Sequence, residues 1–248
     1  MKYLATVLFC LCLPLMAADK KPLTKEESAK VIEAAIRKEL KKPTGELTKA
    51  DLEKVTWLNL VGNKLTDVKG LEKLTKLTKL YLVGNKLTDV TGLEKLTRLT
   101  RLSLGANQLT ELPKGLENLT QLETLRLGGT KLTKLPVGLE KLTKLTSLDL
   151  RANQLTDVKA LEKLKGLEKL TVLDLSFNQL TNVKGLEKLT QLKELILAYN
   201  QLTNVKGLQK LTQLKELWLI NNPDLTKAQI DQLQKALPKC RINHNATK

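Results

Sequence analysis

The stretch LTKLYLVGN, residues 77–85, decides the fold. Leu80 and Leu82 alternate with Lys79, Tyr81 and Val83, the period-two pattern of a strand with one buried face. Asn85 follows where the chain must leave the strand direction, and an amide turned inward there can satisfy backbone groups opened by the bend. Further on, Leu93, Leu96 and Leu99 recur at steps of three. That spacing suits a 3₁₀ turn, whose i and i+3 side chains eclipse, better than a long α-helix.

The string L-x-L-x-x-N-x-L-T returns along most of the chain. Its asparagine column runs Asn63, Asn85, Asn107, Asn153, Asn178, Asn200 and Asn222, with Thr130 in the remaining place, at steps of 22, 22, 23, 23, 25, 22 and 22. Eight such units cover residues 55–222. One unit cannot bury its leucines alone, but units stacked in parallel cover each other and form a right-handed coil with a continuous core. These residues resemble a bacterial leucine-rich repeat protein with internalin-like, 22-residue units. The fold class expected is an α/β solenoid, with a parallel β-sheet on the concave face and helical N-terminal and C-terminal caps. Members of that family are surface or secreted binding proteins, and the resemblance implies the same class of activity here.

Two irregularities interrupt the series. Thr130 has one hydroxyl hydrogen where asparagine has two amide hydrogens, so its corner should be held less firmly. Residues 159–173 carry three extra positions, with Leu164, Leu167, Leu170 and Leu173 at steps of three, which reads as one added turn on the convex side. Pro113 and Pro136 mark two units that are one residue longer.

The ends differ from the middle. Residues 1–18 have a basic start at Lys2, an apolar run and small residues at Ala17 and Ala18, the layout of a secretory signal peptide. Residues 19–54 read as a helical cap. Thr24 and Glu27 form a capping box ahead of Val31, Ile32, Ala35 and Ile36, and a shorter helix runs from Thr48 into Val55. Residues 223–248 read as the second cap, with Thr226 and Gln229 opening a helix that Pro238 ends. After it, CRIN (240–243) can add a short strand. The expected location is extracytoplasmic, periplasmic or secreted, with no transmembrane segment.

Composition narrows the chemistry. One histidine and three cysteines leave little for histidine catalysis, zinc ligation or a disulfide framework. His244 lies on a polar tail and Cys240 reads as a small core residue. Asp67, Asp89 and Asp157 read as turn residues rather than calcium ligands. The expectation is a non-enzyme without cofactor or metal.

The strand positions that point outward form a strip roughly 34 Å long, from strands about 4.8 Å apart. All five aromatics outside the leader, Trp57, Tyr81, Phe177, Tyr199 and Trp218, fall on or beside it. Phe177 and Tyr199 read as partly structural residues at its edge. Lys79, Arg101, Arg126 and Arg151 occupy the earlier rows, and Asp149, Asp174, Glu194 and Glu216 the later ones. Arg151 stands where it could simply pair with Asp174. The candidate partner-binding residues are Trp57, Lys79, Tyr81, Arg101, Arg126, Asp149, Arg151, Asp174, Glu194, Ile196 and Trp218. Such a face suits a protein or peptide partner, held by a monomer. The formal charge of +16 sits mostly in the LEKLTK segments of the outer face, mixed with glutamates as on a solvated surface. No aromatic platform or reading helix accompanies it, so specific nucleic-acid binding is not expected, and polyanion or cell-envelope association is the alternative.

Overall fold

The computed structural model describes residues 21–163 and 165–247. The signal-peptide reading of 1–18 and the place of Leu164 lie outside the described residues. Among the described residues, nine short strands form one parallel sheet in chain order. They are β1 (Trp57–Asn59), β2 (Lys79–Tyr81), β3 (Arg101–Ser103), β4 (Thr124–Arg126), β5 (Ser147–Asp149), β6 (Val172–Asp174), β7 (Glu194–Ile196), β8 (Glu216–Trp218) and β9 (Arg241–Asn243). The central leucine of each strand pairs with that of the next, from Leu58 and Leu80 through to Leu195 and Leu217. These leucines, and those two positions on from Leu60 to Leu219, are buried in one continuous core. Full burial of such a side chain stabilises by roughly 1.5–3 kcal/mol, but only once a neighbouring coil supplies the other wall.

The return path uses the leucines at steps of three. Short 3₁₀ turns such as Leu93–Lys95 and Leu186–Lys188 bury their first leucine. Four of these turns are closed on their entry side by an interaction other than the one their sequence suggests. The glutamates of these segments were expected to be solvated charges alternating with lysines. Instead Glu72, Glu94, Glu117 and Glu187 fold back and accept from the N–H of the glycine two residues earlier, at 2.6–2.9 Å. An open backbone donor at a turn start is a stronger partner for a carboxylate than an exposed lysine.

The extra residues of the fifth unit form two 3₁₀ turns, Lys159–Lys163 and Lys165–Leu167. The second stacks on the preceding unit's turn, Leu139–Lys141, and the first on the following unit's turn, Leu186–Lys188. Gly166 permits this contact, because a Cβ there would overlap the Glu140 carbonyl oxygen.

At the N-terminal end, α1 (Lys25–Leu40) starts with the Thr24–Glu27 capping box and buries Ile32 and Ile36. It packs against β1. The next helix, α2 (Lys49–Leu52), has its own box from Thr48 and Asp51 and stops three residues short of Val55. Lys42 donates to Asp51 at 2.7 Å, and that bond with those from Thr48 holds the Asp51 carboxyl far below the usual range. At the other end, α3 (Lys227–Ala236) starts with the Thr226–Gln229 box and buries Ile230 and Leu233. The chain then returns to the sheet as β9. None of the described helices is long and apolar enough to cross a membrane.

Candidate functional site

What fixes the outward face is a column of amides just behind it. Asn85 accepts from the Leu65 N–H of the preceding unit at 3.0 Å and donates to the Leu60 and Leu82 carbonyls at 2.8 Å. Asn107, Asn178, Asn200 and Asn222 repeat this pattern, and each is buried. Asn63 differs, because no coil precedes it, and its amide donates within its own turn to the Val61 carbonyl. Thr130 also differs, as its chemistry required. Its hydroxyl stands 2.9 Å from the Leu127 carbonyl and 2.7 Å from Asn153 Oδ1, two acceptors for one proton. Among the described residues, no bond replaces the one that Leu109 N–H would make to an asparagine amide there.

With the coils locked in this register, the outward residues stand in straight columns. One runs Trp57, Lys79, Arg101, Thr124, Ser147, Val172, Glu194, Glu216. The next runs Asn59, Tyr81, Ser103, Arg126, Asp149, Asp174, Ile196, Trp218. Ten of the eleven candidate residues therefore share two adjacent columns, and Arg151 stands just past the end of β5. The strand β9 adds a ninth row, Arg241 and Asn243, paired with Glu216 and Trp218. The strip is thus about 38 Å long at the usual strand spacing. Arg241 also breaks the simple division into a basic and an acidic end, because it places a positive charge beyond the acidic rows.

Opposite charges face each other in register at Arg126 with Asp149 and at Arg241 with Glu216, but among the described residues no ion pair within 4 Å joins two strands. Arg151 was placed beside Asp174 in the sequence reading, but its Nε lies 3.5 Å from Asp149 on its own strand. The reason is local. Gly128 on the adjoining row has no side chain, and Arg151 Cγ and Asp149 Oδ1 fill that space, 2.7 and 2.9 Å from where a Cβ would be. Asp174 instead accepts from the Ser176 N–H and hydroxyl at 2.9 and 2.6 Å. Among the described residues no other ion pair lies on the strip.

Like charges then meet in register, Asp149 beside Asp174 and Glu194 beside Glu216. Burial, and next the Asp174 carboxylate, pushes the Asp149 pKa up, while burial followed by Glu216 and Asp174 raises that of Glu194. Both groups hold protons more tightly in the folded chain than in the unfolded one. Their contribution to stability is therefore present below the unfolded values and lost as pH rises through the raised folded ones. Replacing Asp149→Asn and Glu194→Gln together should raise the thermal midpoint at about pH 7 by roughly 1–3 °C. At about pH 3, where both carboxyls are protonated in either state, the gain should vanish. Calorimetry at the two pH values checks this.

The aromatics separate into three situations. Trp57 is 44% exposed on β1, so it is not packed away under α1. Trp218 is partly buried next to β9, and its indole N–H has no partner among the described residues. Phe177 and Tyr199 stack with ring centroids 4.1 Å apart and planes within 10°. Phe177 remains 47% exposed, more than its reading as a partly packed edge residue implied. Both rings stand on left-handed backbone, at φ 54° and 57°, in the column that other units fill with small or polar residues such as Gly84, Ala106 and Asn221.

The remaining candidates are simpler. Cys240 is buried, and its thiol is pushed up to about 11, first by burial and then by Glu216. His244 is exposed and accepts from the Ala246 N–H. Asp67, Asp89 and Asp157 accept from the backbone two residues on, as turn residues do.

A family profile described as "Leucine-rich repeat region" matches residues 83–244. A second, "Leucine Rich repeats (2 copies)", matches residues 53–95. No curated protein matches the chain. Among solved structures, internalin C2 of Listeria monocytogenes is 27% identical with a TM-score of 0.78, over 87% of this chain and 92% of that one. A leucine-rich repeat protein of Leptospira interrogans is 29% identical with a TM-score of 0.53, over 79% of this chain and 62% of that one. The chain belongs to the leucine-rich repeat family, and in structure it stands among bacterial proteins of the internalin type.

Proposed function

We propose that this protein is an exported, non-catalytic scaffold that holds a protein or peptide partner on its concave sheet face. The observation that carries the reading is the set of ordered, outward columns with exposed aromatic and arginine side chains and few internal partners. Residues of those types supply much of the energy of protein interfaces when a partner covers them. Family membership supports the protein-binding part. The apolar run and small residues within 1–18 support export, with 19–54 and 223–248 capping the repeats of 55–222. N-terminal sequencing of the exported protein should find its first residue at position 19.

The binding surface is tested with Trp57→Ala, Tyr81→Ala and Arg126→Ala combined. All three side chains project from the sheet, and Trp218 is spared because it lies between β7 and the terminal strand β9 with its indole N–H buried. Affinity capture from the native envelope, followed by mass spectrometry, should lose at least 90% of the partner, roughly the tenfold that about 1.4 kcal/mol confers. Unchanged capture by the folded variant overturns the reading.

One observation favours a second activity on the outer face. Because its glutamates are bonded to glycine N–H groups, the lysines beside them, Lys73, Lys95 and Lys188, make no ion pair among the described residues. A surface of that kind attracts polyanions, and heparin retention that falls steeply with salt tests it.

A further inference from the structure

The outward sheet face carries more information than the presence of a partner. Its basic rows, Lys79, Arg101 and Arg126, are exposed on β2 to β4. Its acidic rows, Asp149, Asp174, Glu194 and Glu216, are partly buried on β5 to β8. The acidic side chains sit beside their own kind in register, an arrangement that destabilises the free protein. Arg151 contacts one of them, and among the described residues the other three have no cation within salt-bridge reach.

The second observation is independent of charge. The Phe177–Tyr199 stack stands at the edge of these acidic rows, with Phe177 immediately after Ser176, which bonds to Asp174. An aromatic face beside carboxylates attracts an ammonium or guanidinium group twice over, through the ring quadrupole and through direct charge. Two bulky rings on left-handed backbone, where glycine, alanine or asparagine serves elsewhere, form no part of the leucine core.

We propose, resting on the concave-face reading above, that the partner presents a segment with carboxylates at one end and lysine or arginine at the other. The segment lies across the strands. Its anionic end covers β2 to β4, and its cationic end covers β5 to β8 against the Phe177–Tyr199 edge. The basic rows centre on β3 and the acidic rows between β6 and β7, so the two centres are about 17 Å apart at the usual strand spacing. An extended segment covers that distance in about five residues. The separation is about twice the screening length of ~8 Å at physiological salt, so each half recognises its own end of the ligand. Arg241, exposed on β9 next to Glu216, bounds the acidic rows and repels a cation that overshoots them.

The test uses the full chain and synthetic peptides, followed by tryptophan fluorescence and titration calorimetry. The probe has a block of glutamates, a short neutral spacer and a block of lysines. Controls are an alternating peptide of the same composition, an all-glutamate peptide and an all-lysine peptide. The block peptide should bind at least tenfold more tightly than the alternating one at low salt. Asp149→Asn, Asp174→Asn, Glu194→Gln and Glu216→Gln combined should weaken the block and all-lysine peptides at least tenfold and leave the all-glutamate peptide unaffected. Lys79→Gln, Arg101→Gln and Arg126→Gln should do the reverse. The carboxylate changes are near-isosteric and the basic ones shorten exposed side chains, and thermal melts confirm that each variant is folded. Equal binding of block and alternating peptides, or undiminished binding by both variants, overturns the proposal. If the charge variants still capture the native partner while the Trp57, Tyr81 and Arg126 variant does not, the concave-face reading stands and this one falls.

Discussion

Asn107→Ala should destabilise the protein by about 3–5 kcal/mol, more than the same change at Asn178. The reason lies in its neighbour. Asn107 accepts from the Leu87 N–H at 3.1 Å and donates to the Leu82 and Leu104 carbonyls at 2.9 and 2.8 Å. The Leu82 carbonyl keeps Asn85 as a second donor when Asn107 is removed. The Leu104 carbonyl keeps none among the described residues, because the next residue in the column is Thr130 and its hydroxyl points elsewhere. Two buried backbone groups are therefore left open, each at about 1–3 kcal/mol. Asn178→Ala is the control. Its carbonyl partners Leu150 and Leu175 retain Asn153 and Asn200, so it should cost only about 2 kcal/mol. The converse change, Thr130→Asn, supplies a donor to Leu104 and an acceptor to the Leu109 N–H, and should stabilise by roughly 1 kcal/mol. Urea unfolding of the three variants gives the order directly, and equal losses at Asn107 and Asn178 would show that Thr130 is as good a neighbour as asparagine.

Gly185→Ala should cost about 2–5 kcal/mol by two separate effects. The residue has φ 101°, a left-handed conformation that any side chain makes costly by roughly 1–2 kcal/mol. A Cβ there would also approach the Val158 carbonyl oxygen to 2.6 Å and Lys159 Cα to 2.9 Å, both backbone atoms that cannot rotate aside. Gly70 occupies the same place in the first unit with φ 102°, yet nothing lies within 4 Å of its Cβ position. Gly70→Ala should thus show the conformational cost alone. The difference between the two variants in thermal or urea unfolding measures how tightly the enlarged unit is stacked on the one that follows. If the two losses are equal, that stacking is loose.

The parts of the fold legible in sequence were those where one unit's chemistry repeats without reference to its neighbours. Leu80 and Leu82 at period two, Asn85 at the corner and leucines at steps of three all led to the observed strand, inward amide and 3₁₀ turn. Contacts set by the offset between coils were harder to read. Arg151 turns to Asp149 because Gly128 on the adjoining row leaves a hollow, a fact about two strands rather than one motif. Glu94 and its equivalents read as solvated charges because only the folded turn shows an open N–H two residues before them. The stacking of Phe177 on Tyr199 needed the 22-residue step to place both rings at the same height. Arg241 escaped notice because CRIN carries no corner asparagine in the usual place, although it pairs with β8 as another row.

The asparagine column also bears on how such a chain can change over generations. Each corner is completed from the unit that follows it, so an edit that removes or adds a corner leaves no donor or acceptor stranded only when it spans a whole coil. Gaining or losing one slides the outward rows by a single strand spacing and leaves the leucine interior as it was. The surface can therefore be rewritten line by line, with spacing between lines preserved. The paired turns at Lys159–Lys163 and Lys165–Leu167, one stacked forward and one back, take up the added length on the return path, away from the corners. Gly166, lying beneath the Glu140 carbonyl, is the residue that lets the second of them stack.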